Sequence, residues 1–412
     1  MFKTISKCRI CGSKNLINVM SLGAQALTGV FPRTRDEKIT SGPIDLVQCA
    51  EIGGCGLVQL KQSYNLQEMY GMNYGYRSGL NPSMVSHLNS KVKKILNLGI
   101  LKRDDLIIDI GSNDATTLRA YPKGLYQIVG IDPTGDKFRA YYPPEIRLIP
   151  DFFSAEIIQK IFPNKKAKII TSFSMFYDLE DPVAFASEIE ACLDDEGVWI
   201  FEQSYLPAML RTNSFDTICH EHLEFYALKQ ILWIAEKAAL KVLNVEFNKV
   251  NGGSFSITAA KVGSARQSDI KQLEKILTDE QALGLESTKA FDDFKTRVEA
   301  VRCKLMNFLA DSKKEGKRVY GLGASTKGNV LLQYFGIDEY LLPQIAEINE
   351  DKFGAYTPGS LIPLIPEKDV LNKKPDYLLV LPWHFREFFE SNPKMKGCTL
   401  VFPLPTFEIV KL

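Results

Sequence analysis

The chain of 412 residues has few histidines, no long apolar run and almost no net charge, and each scarcity excludes a class of protein. No apolar run approaches the ~20 residues that span a bilayer. The first residues lack the apolar core of a signal peptide, so we expect a cytoplasmic protein that does not associate with membranes. The net charge of +1 argues against nucleic acid as a partner, because such binding requires a basic surface.

Four of the eight cysteines lie close together near the N-terminus. Cys8 and Cys11 form a C-x-x-C pair, and Cys49 and Cys55 form a second, looser pair. Four thiolates close a tetrahedral zinc site, which predicts a structural rather than a catalytic metal. In a cytoplasmic chain such clustering favours metal over disulfides. The alternatives are four unliganded thiols or a redox pair, and no thioredoxin-like strand precedes Cys8.

A second signal is an apolar run that ends in Asp109 and Gly111, followed by another that ends in Asp132. This pattern predicts a βαβ unit with a cofactor site at the carboxyl ends of its strands. Gly111 lets a ligand approach the backbone closely, and Asp132 is placed to accept hydrogen bonds from both hydroxyls of a ribose. The predicted cofactor residues are Asp109, Gly111, Asn113, Asp114, Asp132 and Pro133.

The same turn lacks the Gly-x-Gly-x-x-Gly pattern that receives a pyrophosphate at a helix N-terminus. Its carboxylates, Asp109 and Asp114, repel phosphate but suit a cationic ligand. The turn resembles the S-adenosylmethionine (SAM) site of class I methyltransferases, since SAM carries a sulfonium, an ammonium and a ribose. The alternative is an ordinary α/β domain with an incidental Asp-Gly turn.

The remaining pattern predicts an α/β protein of three domains: a small zinc-binding domain at 1–70, a Rossmann-like methyltransferase domain at 71–262 and a second Rossmann-like domain at 263–412. A helix is expected near 82–99, and Asp181 is expected to cap another. The region 266–315 is predicted to be helical with a break near Gly284. The predicted strands are 106–110, 127–131, 168–172, 197–202, a hairpin of 241–249 and 253–261, then 343–348, 377–381 and 398–402.

Two of the four histidines lie in the sequence His220-Glu221-His222, which follows the end of a predicted strand. Histidine is the side chain best suited to proton transfer near neutral pH, and an adjacent carboxylate can orient its ring. The alternatives are a metal site, for which no third ligand is evident, and a structural role. His87 is interpreted as structural, and His384 could contact a ligand at the end of a strand.

Tyr74 and Tyr76 lie between the cysteine region and the predicted methyltransferase domain. A tyrosine offers a phenolic donor on a rigid apolar body, so this pair could bind a polar substrate or an oxyanion. The alternative is a linker packed by aromatic side chains.

A glycine turn near residue 323 combines backbone amides, hydroxyls and a cation at a predicted helix start, which suits phosphate or pyrophosphate. It departs from a Walker loop, so ATP hydrolysis is not expected. The diphosphate of a nucleotide-sugar is the expected ligand, and a tight strand–helix junction is the alternative. The turn residues are Gly323, Ser325, Thr326, Lys327 and Asn329, and the candidates for the nucleoside are Glu347, Asn349 and Lys352.

Taken in order, these motifs, together with Asn251-Gly-Gly-Ser-Phe255, resemble the SAM-dependent sugar C-methyltransferase family over nearly the whole chain. The resemblance implies zinc in the first domain, SAM in the second, and a nucleotide-linked 4-keto-6-deoxysugar between the second and third. It implies that His222 is the general base with Glu221 beside it, that Tyr74 or Tyr76 lines the active site, and that the protein is a monomer. The chain departs from the family at Cys219, where relatives have tyrosine in the substrate pocket, and at Ala115, where they have glycine.

The resemblance implies methylation at C3 of a dTDP-, GDP- or CDP-linked 4-ketosugar through an enolate. Tyr74, Tyr76 and His220 are the candidate donors to the enolate oxygen. The alternatives are a sugar O- or N-methyltransferase on the same scaffold, a regulatory SAM-binding protein, and an NAD-dependent sugar enzyme. The missing third glycine of the C-terminal turn argues against the last.

Overall fold

The structure is a computed structural model that describes residues 2–69 and 76–412. The N-terminal region is built from short antiparallel strands joined by turns. In its main sheet, the first six residues of β3 alternate between buried and less buried, which is the pattern of a strand with one face on the core. Its elements are β1 Lys3–Thr4, β2 Leu16–Ala26, β3 Ser41–Cys49, β4 Val58–Leu60, β5 Gln62–Ser63 and α1 Leu66–Met69.

The middle region is a seven-stranded sheet in the order β12-β13-β10-β9-β6-β7-β8, with β13 antiparallel to both neighbours. The strands of this sheet are β6 Leu106–Ile110, β7 Gln127–Ile131, β8 Ile146–Ile149, β9 Ala167–Phe173, β10 Leu193–Ser204, β12 Leu240–Asn248 and β13 Ser254–Lys261. The same part of the chain contains β11 Glu224–Phe225, which belongs to the N-terminal sheet. The helices of the middle region are α2 Pro82–Asn97, α3 Gly135–Phe138, α4 Ala155–Ile161, α5 Pro182–Cys192, α6 Leu206–Arg211 and α7 Leu228–Lys237.

The local predictions for this region are confirmed, but the short strands β8 and β11 were not predicted. The carboxylate of Asp181 accepts a hydrogen bond from the amide of Ala184 at 2.9 Å and so caps α5. The hairpin turn has positive φ at Asn251, Gly252 and Gly253, as its sequence requires. The strand β8 was not predicted, because it spans only four residues.

The C-terminal region is a second, mostly parallel sheet in the order β16-β15-β14-β17-β18-β19. The predicted break near Gly284 is confirmed, since this glycine has φ of +66° between two helices. Its helices are α8 Ile270–Ala282, α9 Lys289–Lys314, α10 Thr326–Phe335, α11 Glu367–Asn372 and α12 Arg386–Ser391. Its strands are β14 Val319–Leu322, β15 Ile345–Glu347, β16 Leu364–Pro366, β17 Tyr377–Val380, β18 Thr399–Phe402 and β19 Glu408–Lys411.

The three regions share packing rather than standing apart. One apolar cluster contains Leu46 of the first region, Phe215 of the second and Phe335 of the third. The rings of Phe215 and Phe335 lie 5.0 Å apart between centroids. Strand β11 of the middle region also pairs with β4 and so extends the N-terminal sheet. In the ranges that the structure describes, no helix combines the length and apolar character needed to cross a bilayer.

Each of the two larger sheets has a point where the strand order reverses. Strand β6 lies between β7 and β9, and strand β14 lies between β15 and β17. In open α/β sheets, ligands bind in the crevice at the carboxyl ends of the strands beside such a point. The fold therefore indicates two crevices, one after β6 and one after β14.

Candidate active site

The four N-terminal cysteines come together as predicted. The sulfurs of Cys8 and Cys55 lie 3.4 Å apart, those of Cys11 and Cys49 lie 3.5 Å apart, and all four lie within 4.8 Å of one another. A tetrahedron of Zn–S bonds of about 2.3 Å separates its sulfurs by roughly 3.8 Å. The thiols therefore fit a zinc ion, and four ligands leave no open position for a substrate.

The first crevice is a cleft at the carboxyl ends of strands β6 to β10. Five of the predicted cofactor residues line it, and they are Asp109, Gly111, Asn113, Asp132 and Pro133. Gly111 has φ of +71°, and a Cβ there would lie 3.1 Å from the side chain of Met175. Glycine is therefore required both by the backbone conformation and by the space beneath it.

The two central carboxylates of the cleft differ in environment. Burial raises the pKa of Asp109 to about 7, although a hydrogen bond from the Thr171 hydroxyl at 2.6 Å lowers it. Asp132 accepts hydrogen bonds from the amides of Asn113 and Thr134 at 2.8 and 2.7 Å and from the Thr134 hydroxyl. Asp132 therefore braces the turn, and of its roughly four lone-pair positions one remains for a ribose hydroxyl.

Asp114 is not among the residues that line the cleft. Its carboxylate accepts a hydrogen bond from the amide of Gly79 at 3.1 Å and lies 3.8 Å from the guanidinium of Arg77. The side-chain oxygen of Asn113 accepts from the amide of Ser78 at 2.9 Å. Through these contacts, both residues hold the segment that carries Tyr76 against the cofactor turn.

Of the two tyrosines singled out in the sequence, Tyr76 lines the cleft, with 46% of its surface exposed. Tyr74 lies outside the described residues. The catalytic roles of both tyrosines stay predictions.

Several cleft residues were not found by sequence reasoning. Asp151 and Phe152 follow β8, a strand that the sequence did not reveal, and Ser174 and Met175 follow β9. The signal for the second pair was the end of a predicted strand, which marks the same edge as Asp109. For Asp151, the signal would have been recognition of the short run Ile146–Ile149 as a strand.

Glu202 and His87 also line the cleft and form a hydrogen bond that the sequence did not predict. Glu202 is buried, and its oxygens lie 2.6 Å from Nε2 of His87 and 2.7 Å from Nζ of Lys91. Burial raises the pKa of Glu202, but the hydrogen bond from His87 and the charge of Lys91 outweigh it and lower the pKa overall. Among the described residues, the cleft is thus lined by several carboxyl groups and by no lysine or arginine, which suits a ligand bearing a sulfonium and an ammonium.

His222 lies next to this cleft but does not line it. Its Nδ1 donates to the carbonyl of Thr217 at 2.7 Å, and its ring packs edge-on against Tyr177, with centroids 4.3 Å apart. The amide of Leu223 donates to the carbonyl of Tyr177, whose neighbour Asp178 lines the cleft. Burial lowers the pKa of His222 to about 4, so the ring is neutral near pH 7.

The two residues before His222 face the N-terminal region. Glu221 accepts a hydrogen bond from the hydroxyl of Thr28 at 3.2 Å, and burial raises its pKa. Nε2 of His220 lies 3.1 Å from the carbonyl of Gln25, and its ring packs edge-on against Tyr64. Burial lowers the pKa of His220 to about 4. The structure does not bring His220 into the cleft, and its role as an oxyanion donor stays a prediction.

Cys219 is fully buried in the apolar cluster that joins the three regions. Burial raises the pKa of its thiol well above the ordinary value. The side chain therefore packs as a small apolar group, and the structure gives no contact that supports the predicted role in the substrate pocket.

The second crevice holds the predicted glycine turn. A Cβ on Gly323 would lie 2.8 Å from Pro382, so this glycine is needed where the ends of β14 and β17 meet. Ser325 caps α10, since its hydroxyl accepts from the amide of Gly328 at 3.0 Å. The side chain of Asn329 donates to the carbonyl of Thr28 at 2.7 Å and ties α10 to the N-terminal region. These contacts favour the structural alternative for the turn itself.

The residues predicted to bind the nucleoside form hydrogen bonds with one another and with the backbone of the turn at this edge of the sheet. Glu347 accepts hydrogen bonds from the amides of Asn349 at 2.8 Å and Ala324 at 3.1 Å. Lys352 donates to the carbonyl of Ala324 at 2.9 Å, and its Nζ lies 4.5 Å from the ring centroid of Phe31. Their role toward a nucleoside, like that of Thr326, stays a prediction.

Lys327 of the glycine turn extends into a set of groups that we call the polar junction: Asp216, Lys327, Trp383, His384 and the backbone of Asn251. The ammonium of Lys327 donates to the carbonyl of Asn251 at 2.6 Å. The indole of Trp383 donates to Asp216 at 2.7 Å. The junction therefore joins the loop that carries His222 to the second crevice.

Comparisons with known proteins agree with this architecture. Family models match three successive parts of the chain: a zinc binding domain over 8–70, a methyltransferase domain over 84–245 and a C-methyltransferase C-terminal domain over 249–405. The chain is 26% identical over 415 aligned positions to the C-methyltransferase NovU of Streptomyces niveus, covering 99% of this chain and 97% of that protein.

Two solved structures are also similar to part of the chain. One is a SAM-dependent methyltransferase of Clostridium acetobutylicum, at 15% identity, with a TM-score of 0.32, over 42% of this chain and 90% of that chain. The other is LepI in complex with SAM, at 15% identity, with a TM-score of 0.34, over 45% of this chain and 54% of that chain.

The domain models, the full-length relative and the four-thiol site together establish a SAM-dependent C-methyltransferase that binds SAM and zinc. In the order of its three matched domains and over its full length, the chain is similar to a C-methyltransferase.

Proposed function

We propose that the enzyme methylates C3 of a nucleotide-diphospho-4-keto-6-deoxysugar through an enolate, with His222 as the general base. The ketone at C4 acidifies the hydrogen on C3, and His222 removes it. SAM held in the cleft supplies the electrophilic methyl group that the carbon takes up. Positioned proton transfer of this kind contributes roughly 10²–10⁴-fold to rate.

The observation that carries this proposal is the tautomer of His222. Since a carbonyl accepts only, its hydrogen bond with Thr217 places the ring proton on Nδ1 and leaves the lone pair on Nε2. The depressed pKa keeps the ring unprotonated near neutrality. It also weakens the base, and the negative charge that develops on the substrate offsets this by stabilising the imidazolium.

The position of the sugar is inferred from the two crevices. The loop that carries His222 touches Tyr177 at the edge of the SAM cleft and meets Trp383 at the second crevice. A sugar beside this loop could present C3 to the cleft while its nucleotide extends toward β14. The predicted domain bounds of 1–70, 71–262 and 263–412 fit this arrangement and remain part of the proposal.

The test uses 4-keto-6-deoxyglucose linked to dTDP, GDP or CDP as probes. In deuterated buffer, the wild-type enzyme should exchange the C3 hydrogen and, with SAM, release a C-methylated product. The variant His222→Ala should lose both activities by at least about 10²-fold and should keep SAM affinity nearly unchanged. Lys241→Met is the control, since Lys241 lies on the edge strand β12 and its ammonium donates to the backbone carbonyl of Ser264, after β13. Retention of C3 exchange in His222→Ala would contradict the assigned base.

The second candidate is a sugar O- or N-methyltransferase, which the neutral His222 also permits. Such an enzyme needs a base near a hydroxyl or amine but no ketone. It would methylate a probe whose C4 ketone has been reduced, whereas the proposed C-methyltransferase would not. The carbon chemical shift of the product's methyl group separates the two outcomes.

A further inference from the structure

The side chain of Lys327 leaves its own domain and ends against the methyltransferase domain. It is 9% exposed, and its Nζ donates to the carbonyl of Asn251 at the hairpin turn before β13. Among the described residues this is its one hydrogen bond, so two of its three donors are uncommitted. A buried ammonium with free donors is costly unless a further acceptor is present.

The groups around Lys327 include polar atoms that also lack partners. Within the described part of the chain, Oδ1 of Asp216 and Nδ1 of His384 are buried without a hydrogen bond. Such orphaned atoms are rare in folded proteins and indicate that water or a ligand completes the site.

The charge of Lys327 also acts on the proposed base, His222. Burial lowers the pKa of His222 first, and the charge of Lys327 lowers it further. The neighbours of the two residues meet as well, since Glu221 and Thr326 both lie within 4.0 Å of the point where a Cβ on Gly29 would stand. The residues that precede the imidazole and the ammonium in the chain therefore lie side by side, which places the two groups on adjoining segments.

The turn around Lys327 does not favour the phosphate expected from its sequence. The carboxylate of Glu347 already accepts the hydrogen bond of the Ala324 amide at 3.1 Å. The hydroxyl of Ser325 is occupied as a helix cap. A negative charge on the turn amides repels a second anion, and the ammonium of Lys327 extends away toward Asn251.

We propose that Lys327 is a catalytic residue that binds the substrate's carbonyl oxygen and stabilises the enolate formed by His222. This inference rests on the proposed function. When Nε2 of His222 takes the C3 proton, the C–H electron pair forms the C3–C4 double bond and the carbonyl pair moves to oxygen. The resulting oxyanion pairs with the ammonium of Lys327. The carbonyl then re-forms as C3 bonds to the methyl group and the C–S bond breaks toward sulfur, and His222 releases its proton to water.

The experiment compares Lys327→Met, which removes the charge and keeps the stem, with Lys327→Gln, which keeps a donor for Asn251. The control is Lys241→Met. For each variant we would measure C3 exchange without SAM, methyl transfer, affinity for dTDP alone and the thermal midpoint. Loss of one oxyanion donor lowers kcat by about 10²–10³-fold. Both variants should show this loss in exchange and in kcat, with dTDP affinity within about twofold of wild type.

The outcomes separate three cases. Weaker dTDP binding with an unchanged kcat would overturn the inference and return Lys327 to phosphate binding. Normal C3 exchange in both variants would overturn it in favour of a structural ion pair. If the wild-type enzyme exchanges no C3 hydrogen in any ketosugar probe, the proposed function is wrong and the inference fails with it. If the thermal midpoint falls in Lys327→Met but not in Lys327→Gln, the kinetic result for Lys327→Gln decides between these cases.

Discussion

At the scale of single residues, two histidines separated by one position have different surroundings. His220 packs against Tyr64 and Gln25 of the N-terminal region, whereas His222 lies beside Tyr177 at the edge of the cleft. Their spacing in sequence does not predict this division, because it depends on how the loop crosses the boundary between two regions. The residue types therefore point to the loop as a candidate site, whereas the separate roles predicted for the two rings come from the family resemblance.

His220 should make stability depend on pH. Its pKa is about 4 in the folded chain, against 6.5 for an ordinary histidine, so below pH 6.5 the unfolded state binds more protons and stability falls. The variant His220→Gln lacks this group. From pH 7 to pH 5, the free energy of unfolding of wild type, measured by urea titration, should therefore fall by about 2 kcal/mol more than that of His220→Gln.

The matched control is Tyr64→Phe, which disturbs the same packing but leaves the imidazole in place. Its difference from wild type should stay constant over this pH range. Zinc release on acidification affects all three proteins alike and cancels in the comparison. A constant difference for His220→Gln as well would show that this ring does not titrate between the two states.

At the scale of elements, the zinc knuckle is tied to the methyltransferase domain by Arg9, which lies between two zinc ligands. Its guanidinium donates to the carbonyl of Leu60 at 2.6 Å and the hydroxyl of Ser63 at 2.8 Å, and lies 3.6 Å from the carboxylate of Glu224. The side chains of Arg9 and Glu224 are 3% and 0% exposed. Burial raises the pKa of Glu224 well above its usual range, and Arg9 opposes that rise.

Arg9→Met should therefore lower the free energy of unfolding by about 3 kcal/mol, the low end for a broken buried pair, because the carboxyl can take up a proton. Glu224→Gln in the same chain should recover part of this loss, since an amide needs no counter-charge. Chemical denaturation of the two single variants and the double variant measures the coupling. Strictly additive effects would mean that the two side chains do not interact.

Elements were predictable where their pattern was long and local. The strands 106–110 and 127–131 were found at their observed bounds, because each is a short apolar run that ends in a turn. Strand β8 and strand β11 were missed, since each is held by a partner strand rather than by its own residues. Asp151 was missed for the same reason, while Glu202 depended on a contact with a distant helix.

At the scale of the whole molecule, one apolar cluster joins all three regions, and a second cluster joins the zinc ligands Cys8, Cys49 and Cys55 to the methyltransferase domain. Strand β4 follows Cys55 closely and pairs with β11, while α10 binds Thr28 and Ala26 through the side chains of Asn329 and Gln333. The N-terminal region is therefore enclosed by both larger domains. The sequence predicts the order of the regions but not this shared packing, which arises from contacts between distant segments.

Removal of zinc should consequently destabilise the entire chain rather than one domain. Structural zinc sites contribute on the order of 10 kcal/mol in isolated peptides, and four buried thiols cannot pack as well without the ion. We expect one zinc per chain by elemental analysis. Chelation should lower the thermal midpoint in a single calorimetric transition, and Cys11→Ser should do the same without chelator. A separate early transition for residues 1–70, with the SAM-stabilised transition unmoved, would show that the regions unfold independently.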